Sequence, residues 1–410
     1  RLTEEDKEQI LELSKCDDIY ELLTNTLAPE IHGHETVKQG LLLQLLEGNR
    51  PSDDCMKSES MDRWTSHILL IGDPGIGKSQ LVSAVNKRAP KCISISGTNT
   101  SQAGLTTSAV KDELTGTWTM EAGGVVLEDT GLLCIDEFDK LSEKKKKSLN
   151  EPMEQLSVSS AKAGLVQTMT ARTSILAVAN PKYSRFKDDK SFKEQLDIAE
   201  STLSRFDLIF ALTDSINEVD DKELATALLS NSSKDDELEV LSDDCFKKYI
   251  TYMKANCFPV LTDEVIDVLS EFYVSVRQEA SQSYDGKPIT ARDLKSLERL
   301  TIARAKCEGR DYTELSDAQE AIRIYTESLE SLGLSVTTAG ELQSIMSDEE
   351  FEIISDIELM IKSEAEFEGF PLSNESLSKL EFECGLKCHG TSLDSERVFR
   401  KCLLKVKKSL

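Results

Sequence analysis

Basic charge is scarce in this chain. Its 410 residues carry 48 Lys and Arg against 74 Asp and Glu, a formal net charge of −26. A protein that coats nucleic acid with its whole surface needs the opposite balance, so that class is excluded, while a locally basic pore or groove is not. Long apolar runs are lacking too: none approaches a membrane span, and no membrane partner is expected. No leader-like stretch opens the chain, and its start at Arg1 rather than Met predicts a piece of a longer protein. The 10 cysteines form no CxxC pair, which reads as reduced intracellular thiols rather than a disulfide framework. Cys384, Cys388 and His389 come nearest to a metal pattern, but a fourth ligand is lacking and zinc is not expected there. Internal repeats are absent.

What is present is enough apolar material, 39% of residues, for more than one core. Residues 1–63 read as a helical lead-in, with "LLLQLLEG" stopping at Gly48. Across 64–215, short apolar runs ("HILLIG", "CISISG", "GLLCIDE", "TSILAVAN", "FDLIFALTD") alternate with helical or hairpin stretches. Continuous runs bounded by Gly and polar residues suit strands buried on both faces, hence an α/β fold with a parallel sheet. Residues 216–335 repeat apolar positions at three- and four-residue steps, as helices do. A linker over 336–347 and a small three-helix tail over 348–410 complete the chain.

"HILLIGDPGIGKSQLV" carries the clearest chemistry. Gly72, Gly77, Lys78 and Ser79 fill the G-x-x-x-x-G-K-[ST] pattern between a predicted strand and a predicted helix. Glycines there let backbone N–H groups turn toward phosphate oxygens; Lys78 supplies charge for β/γ phosphates, and Ser79 can hold Mg²⁺. Gly72, Asp73, Pro74, Gly75, Ile76, Gly77, Lys78, Ser79 and Gln80 are therefore the candidate contacts to ATP. "LLCIDEFDK" ends a buried strand in Asp136 and Glu137, one to hold Mg²⁺ and one to deprotonate an attacking water. Asn180 ends a third strand, where its amide can hold a γ-phosphate or the lytic water. Arg205, in "TLSRFDLIFAL", is unexpected ahead of an apolar strand: buried Arg is rare unless paired or set against an anion. The plain alternative is a surface pair between Arg205 and Asp207.

Together, "GDPGIGKSQL", "CIDEFDK", "MEQLSVSSAKAGLVQTMTARTSILAVANP" and "LSRFDLIF" resemble the AAA+ ATPases, and more closely the minichromosome maintenance (MCM) replicative helicases, over about residues 20 to 310. The resemblance implies an AAA+ core with β-hairpin insertions, a helical lid and a winged-helix-like C-terminal domain. It implies a hexameric ring with ATP between subunits, acting on DNA in its channel. Lys78, Ser79, Asp136, Glu137 and Asn180 then form one side of the site; Arg205 matches the arginine finger and Arg292, in "ITARDL", the sensor arginine reaching the neighbour's nucleotide. Lys162, at the tip of the hairpin "QLSVSSAKAGLVQTM", matches the channel lysine that touches the DNA backbone; a solvated turn is its bland alternative. "TTSAVKDELTGTWTMEAGG" matches a second hairpin. The run Lys144 to Lys147 reads as a solvated helix face.

Departures from the family pattern are few. A glycine stands in "GIGKS" where alanine is usual, and Pro152 lies where the family has alanine, predicting a kink or an early helix end. The family's N-terminal DNA-binding, zinc-bearing domain has no counterpart in this sequence. Two other functions stay open: a AAA+ remodeller of the magnesium-chelatase or MoxR-like clade acting on protein, and a ring subunit that binds ATP without hydrolysing it. A homohexamer of archaeal type, acting with chromosomal DNA, is favoured over mixed eukaryotic rings because one chain holds every cis and trans residue.

Overall fold

A computed structural model describes residues 2–332 apart from 17, 32, 52–62, 112–117, 163–164, 184, 187–194, 214–239 and 283–288; beyond 332 it describes only 357, 360–362, 379–380 and 384. The chain divides into two compact units, Arg1–Tyr273 with Ala280–Val336, and Val274–Glu279 with Thr337–Leu410. The C-terminal tail, its expected winged helix, Cys388 and His389 fall almost wholly outside the described residues.

The first unit is built on a five-stranded parallel sheet in the order β2-β5-β8-β1-β9. Its strands are β1 (His67–Gly72), β2 (Cys92–Ser96), β5 (Leu132–Asp136), β8 (Ser174–Ala179) and β9 (Leu208–Leu212). β1 and β8 are buried at all positions, which is why their sequences run apolar without alternating. Leu69, Ile71, Leu133, Ile135, Ile175 and Ala177 anchor the central core, closed by Phe138 packed edge-on against Phe206 at 5.9 Å.

Two antiparallel hairpins leave this core. β3 (Thr107–Lys111) pairs with β4 (Trp118–Ala122), and β6 (Ser157–Lys162) with β7 (Leu165–Thr170). The second ends on the pair Lys162↔Leu165, so Lys162 stands at the hairpin tip as expected. The "DELTG" turn of the first lies outside the described residues.

Helices α1 (Glu4–Leu13), α2 (Ile19–Leu27) and α3 (Glu35–Leu46) precede the sheet. α3 is buried nearly all round, and the chain turns at Glu47 (φ 57°), one residue before the glycine expected to stop it. α4 (Lys78–Arg88), α5 (Gln102–Leu105), α6 (Gly124–Leu127), α7 (Glu143–Ser148), α8 (Asn150–Gln155) and α9 (Glu200–Leu203) lie between the strands. The break at Leu149 falls just ahead of Pro152, which then sits in the first turn of α8, where its missing N–H costs least. Lys146 corrects the solvated-face reading: its ammonium is buried on Glu143 and the Asp197 carbonyl.

Four longer helices follow, α10 (Asp243–Asn256), α11 (Asp263–Gln282), α12 (Ala291–Cys307) and α13 (Leu315–Ser331). α13 covers the open edge of β9: the Ile209 and Ala211 N–H groups donate to Ser328 Oγ (3.3 Å) and Ser331 Oγ (2.9 Å). An exposed strand edge is thereby blunted without another strand. Among the described residues no helix is long and apolar enough to cross a membrane.

Candidate active site

The phosphate-binding loop joins β1 to α4 at the carboxyl edge of the sheet, where α/β folds bind ligands. Gly72 cannot be replaced there, since a Cβ would lie 2.5 Å from both Ile76 Cδ1 and the Leu212 carbonyl oxygen. Gly75 (φ 94°) and Gly77 (φ 82°) take left-handed backbone that other residues disfavour. Gly77 caps α4 without a side chain, so the first-turn N–H groups of an 11-residue helix are left for phosphate oxygens. Lys78 is buried, its ammonium on the Gly72 and Asp73 carbonyls. Burial lowers its pKa, and Asp73, Asp136 and Asp139 work against that shift.

Ser79 Oγ donates to Asp136 Oδ2 at 3.3 Å. A hydroxyl and a carboxylate this close, beside phosphate-facing N–H groups, are the oxygen donors Mg²⁺ takes; the residues fit an ATP–Mg²⁺ pair. Glu137 follows in left-handed backbone (φ 54°), its N–H on Asp136 Oδ1 at 2.8 Å. Its carboxylate accepts from Thr98 Oγ1 (2.5 Å) and Ser96 Oγ (2.9 Å), bonds that hold its pKa below the usual range. Gly97, between those donors, is obligatory: a Cβ would meet the Glu137 carbonyl oxygen at 2.3 Å. Asn180 joins the group through Asp139, whose Oδ1 accepts from the Asn180 N–H at 3.0 Å. Sequence reasoning missed Ser96, Thr98 and Asp139: Ser96 lay in the predicted strand "CISISG" and Asp139 in "LLCIDEFDK", and neither was given a role.

Arg205 and Arg292 are not part of this cluster. Leu212 pairs with Gly72 and Leu208 with Ile68, so Arg205 lies at the opposite, amino edge of the sheet. At about 3.3 Å per residue that is some 15–20 Å from the loop glycines of its own chain. The Arg205–Asp207 pair is also corrected. Arg205 Nη2 meets Glu154 Oε2 at 3.0 Å, and Arg292 Nη2 meets Glu154 Oε1. Asp207 is instead buried beneath them, accepting from Arg63 Nη2 (2.6 Å), Ser296 Oγ (2.5 Å), Arg299 Nη2 and the His67 N–H (2.7 Å). Burial alone would raise its carboxyl, but Arg299 and Arg63 prevail and hold it well below the carboxylate range.

His67 completes this second cluster. Its Nδ1 accepts from the Ile175 N–H (3.1 Å), which leaves Nε2 to donate to the Met153 carbonyl (3.0 Å). Burial and the neighbouring Arg63 push its pKa down to about 3, so the ring is neutral. Arg63, Glu154, Ser296 and Arg299 were not foreseen. The only hint was the spacing of Arg292, Ser296 and Arg299, which shares one helix face.

A family model described as the MCM P-loop domain matches residues 6–232, and one described as the MCM AAA-lid domain matches residues 244–329. "DNA replication licensing factor mcm4" of Schizosaccharomyces pombe is 37% identical over 346 residues, 82% of this chain and 38% of the relative. "DNA replication licensing factor MCM4" of Oryza sativa subsp. japonica is 40% identical over 323 residues, 77% and 37% of the two chains. "DNA replication licensing factor mcm7" of Xenopus tropicalis is 38% identical over 335 residues, 81% and 45%. The match thus spans less than half the length of these relatives.

Proposed function

The chain belongs to the MCM family, and from that membership we propose that it is the ATP-hydrolysing motor of a ring-shaped replicative DNA helicase. The observation that carries this reading is the Ser79–Asp136 contact beside Lys78 at the carboxyl edge of the sheet. Lys78 and the α4 N–H groups bind and orient the β and γ phosphates. Ser79 and Asp136 hold Mg²⁺, which when bound neutralises charge building on those oxygens. Glu137 takes the proton of the attacking water, and Asn180, fixed by Asp139, orients that water against the γ-phosphate. Arg205 and Arg292 face away from this site and serve the next subunit, adding positive charge where the transferring phosphoryl group becomes more negative.

DNA is the proposed track, met in the channel by Lys162 at its hairpin tip and equivalents around the ring. A phosphate contact of that kind carries no base information, so translocation is sequence-independent. The relatives' names, DNA replication licensing factors, support a place on chromosomal DNA, in a nucleus for cells of the kind they come from. The archaeal homohexamer finds no support in the yeast, rice and frog relatives; the mass of the full-length protein purified alone tests it.

The test of the motor is Glu137→Gln in the full-length assembled protein. Nucleotide binding should persist while turnover falls by about 10² to 10⁴, and wild-type turnover should rise with single-stranded DNA. Wild-type turnover in Glu137→Gln would remove Glu137 from the mechanism. Indifference to DNA would favour a motor acting on protein.

A further inference from the structure

Arg205 and Arg292 come from separate elements, the turn ahead of β9 and the first turn of α12, yet both end on one carboxylate. Glu154 offers Oε2 to Arg205 and Oε1 to Arg292. Two guanidiniums side by side repel, and Arg292 also sits at a helix N-terminus, where the backbone dipole disfavours a cation. A shared anion offsets both penalties. The remaining contacts fix direction rather than charge: Arg205 Nε donates to the Asn150 carbonyl (3.3 Å), Arg205 Nη1 to the Ser201 carbonyl, and Arg292 Nη1 to Ser204 Oγ (3.4 Å).

The backbone behind this pair is equally tied. Arg63 Nη1 donates to the carbonyls of Met153 (2.9 Å) and Arg205 (3.0 Å), so the residue before Glu154 and the finger itself hang on one guanidinium. Asp207 holds that guanidinium and, through Ser296 and Arg299, the same face of α12 that carries Arg292. The Thr290–Asp293 capping box sets where α12 begins. Glu154 itself is 39% exposed at its side chain, Arg292 51%, Arg205 18%. They form the accessible tip above the buried Asp207, Ser296 and Arg299.

We propose that Glu154 is a positioning residue for ATP hydrolysis in the adjacent subunit, holding Arg205 and Arg292 side by side so that both guanidiniums meet the same phosphate. This rests on the reading that the two arginines act in trans. The full-length protein in its assembled ring is compared as wild type, Glu154→Gln, Glu154→Asp, Arg205→Ala and the Glu154→Gln/Arg205→Ala double variant. Glu154→Gln should lower turnover on the order of tenfold to a hundredfold, with ATP affinity of its own Lys78 site and thermal unfolding unchanged. Glu154→Asp, which keeps the charge, should recover most of the lost rate. The double variant should lose less than the product of the two single losses, because with the finger gone only Arg292 is left for the carboxylate to position. A wild-type rate in Glu154→Gln, or a double variant slower by the product of the single losses, overturns the proposal while leaving the finger reading intact. A wild-type rate in Arg205→Ala overturns both.

Discussion

At the carboxyl edge of the sheet the working groups come from short contiguous stretches: 72–80, 136–139 and Asn180. At the amino edge they come from Arg63, His67, Glu154, Asp207, Arg292 and Arg299, spread over more than half the chain. The first edge is open, with Ser79 exposed and the Glu137 carboxylate held by two hydroxyls. The second is closed, and Asp207 has a side chain 1% exposed among two arginines. The open edge must admit a nucleotide and exchange it, so its groups are anchored by backbone turns. The closed edge must present two arginines at a fixed angle, so its charges are used up on one another. A carboxylate means different things in the two places: chemistry at one, geometry at the other.

The most severe way to break this contrast is Asp207→Ala. It leaves Arg63 and Arg299 buried without their anion, which should cost about 3–5 kcal/mol of stability, read as a shift in the denaturant midpoint. Glu137→Gln, at the open edge, should stay within about 0.5 kcal/mol of wild type while losing turnover. Equal stabilities for the two variants would show that Asp207 carries no structural burden.

The same contrast explains what the sequence could disclose. The phosphate-binding loop, Asp136, Glu137 and Asn180 each end an apolar strand, and local pattern suffices to place them. Lys162 was legible because hairpin register follows from a turn. Asp207 was visible as a residue but not as a partner: proximity in "SRFD" pointed to Arg205, and only the fold brings Arg63 and Arg299 against it. Lys146 was misread for a related reason. In a run of four lysines every position looks solvated, yet the helix turns one of them inward onto the Asp197 carbonyl. Glu47 hid the end of α3 because the neighbouring glycine drew the boundary one residue late.

A gentler probe of the closed edge is acid. His67 has a folded pKa of about 3 against an ordinary 6.5. Between those values the unfolded chain binds a proton that the folded chain refuses. Its contribution is therefore fully present above about pH 6.5 and is lost as pH falls toward about 3, with a slope approaching 1.4 kcal/mol per pH unit for one proton. His67→Gln removes this titration and should flatten unfolding free energy against pH over that window by up to one proton. Parallel curves for the two proteins would mean that the ring takes up a proton in the folded state after all.

The smallest expected effect concerns backbone rather than charge. In the phosphate-binding loop left-handed positions are glycines, Gly75 and Gly77, whereas in the turn entering β5 at the amino edge one is Thr130 (φ 67°). A β-branched residue there is strained by about 1–2 kcal/mol, and glycine would return part of that as unfolded-state entropy, about 0.5–1 kcal/mol. Nothing in the side chain offsets the strain. Thr130 is exposed, and its recorded bonds, N–H to the Arg172 carbonyl (2.7 Å) and carbonyl from Lys254 Nζ (3.4 Å), are made by backbone that glycine keeps. Thr130→Gly should therefore raise stability by about 0.5–1 kcal/mol, measured as a higher urea midpoint, with ATP turnover unchanged. A lower midpoint would mean that the threonine side chain contributes more than its backbone strain costs. A rise accompanied by lost turnover would couple this turn at the amino edge to the nucleotide site at the opposite edge of the sheet.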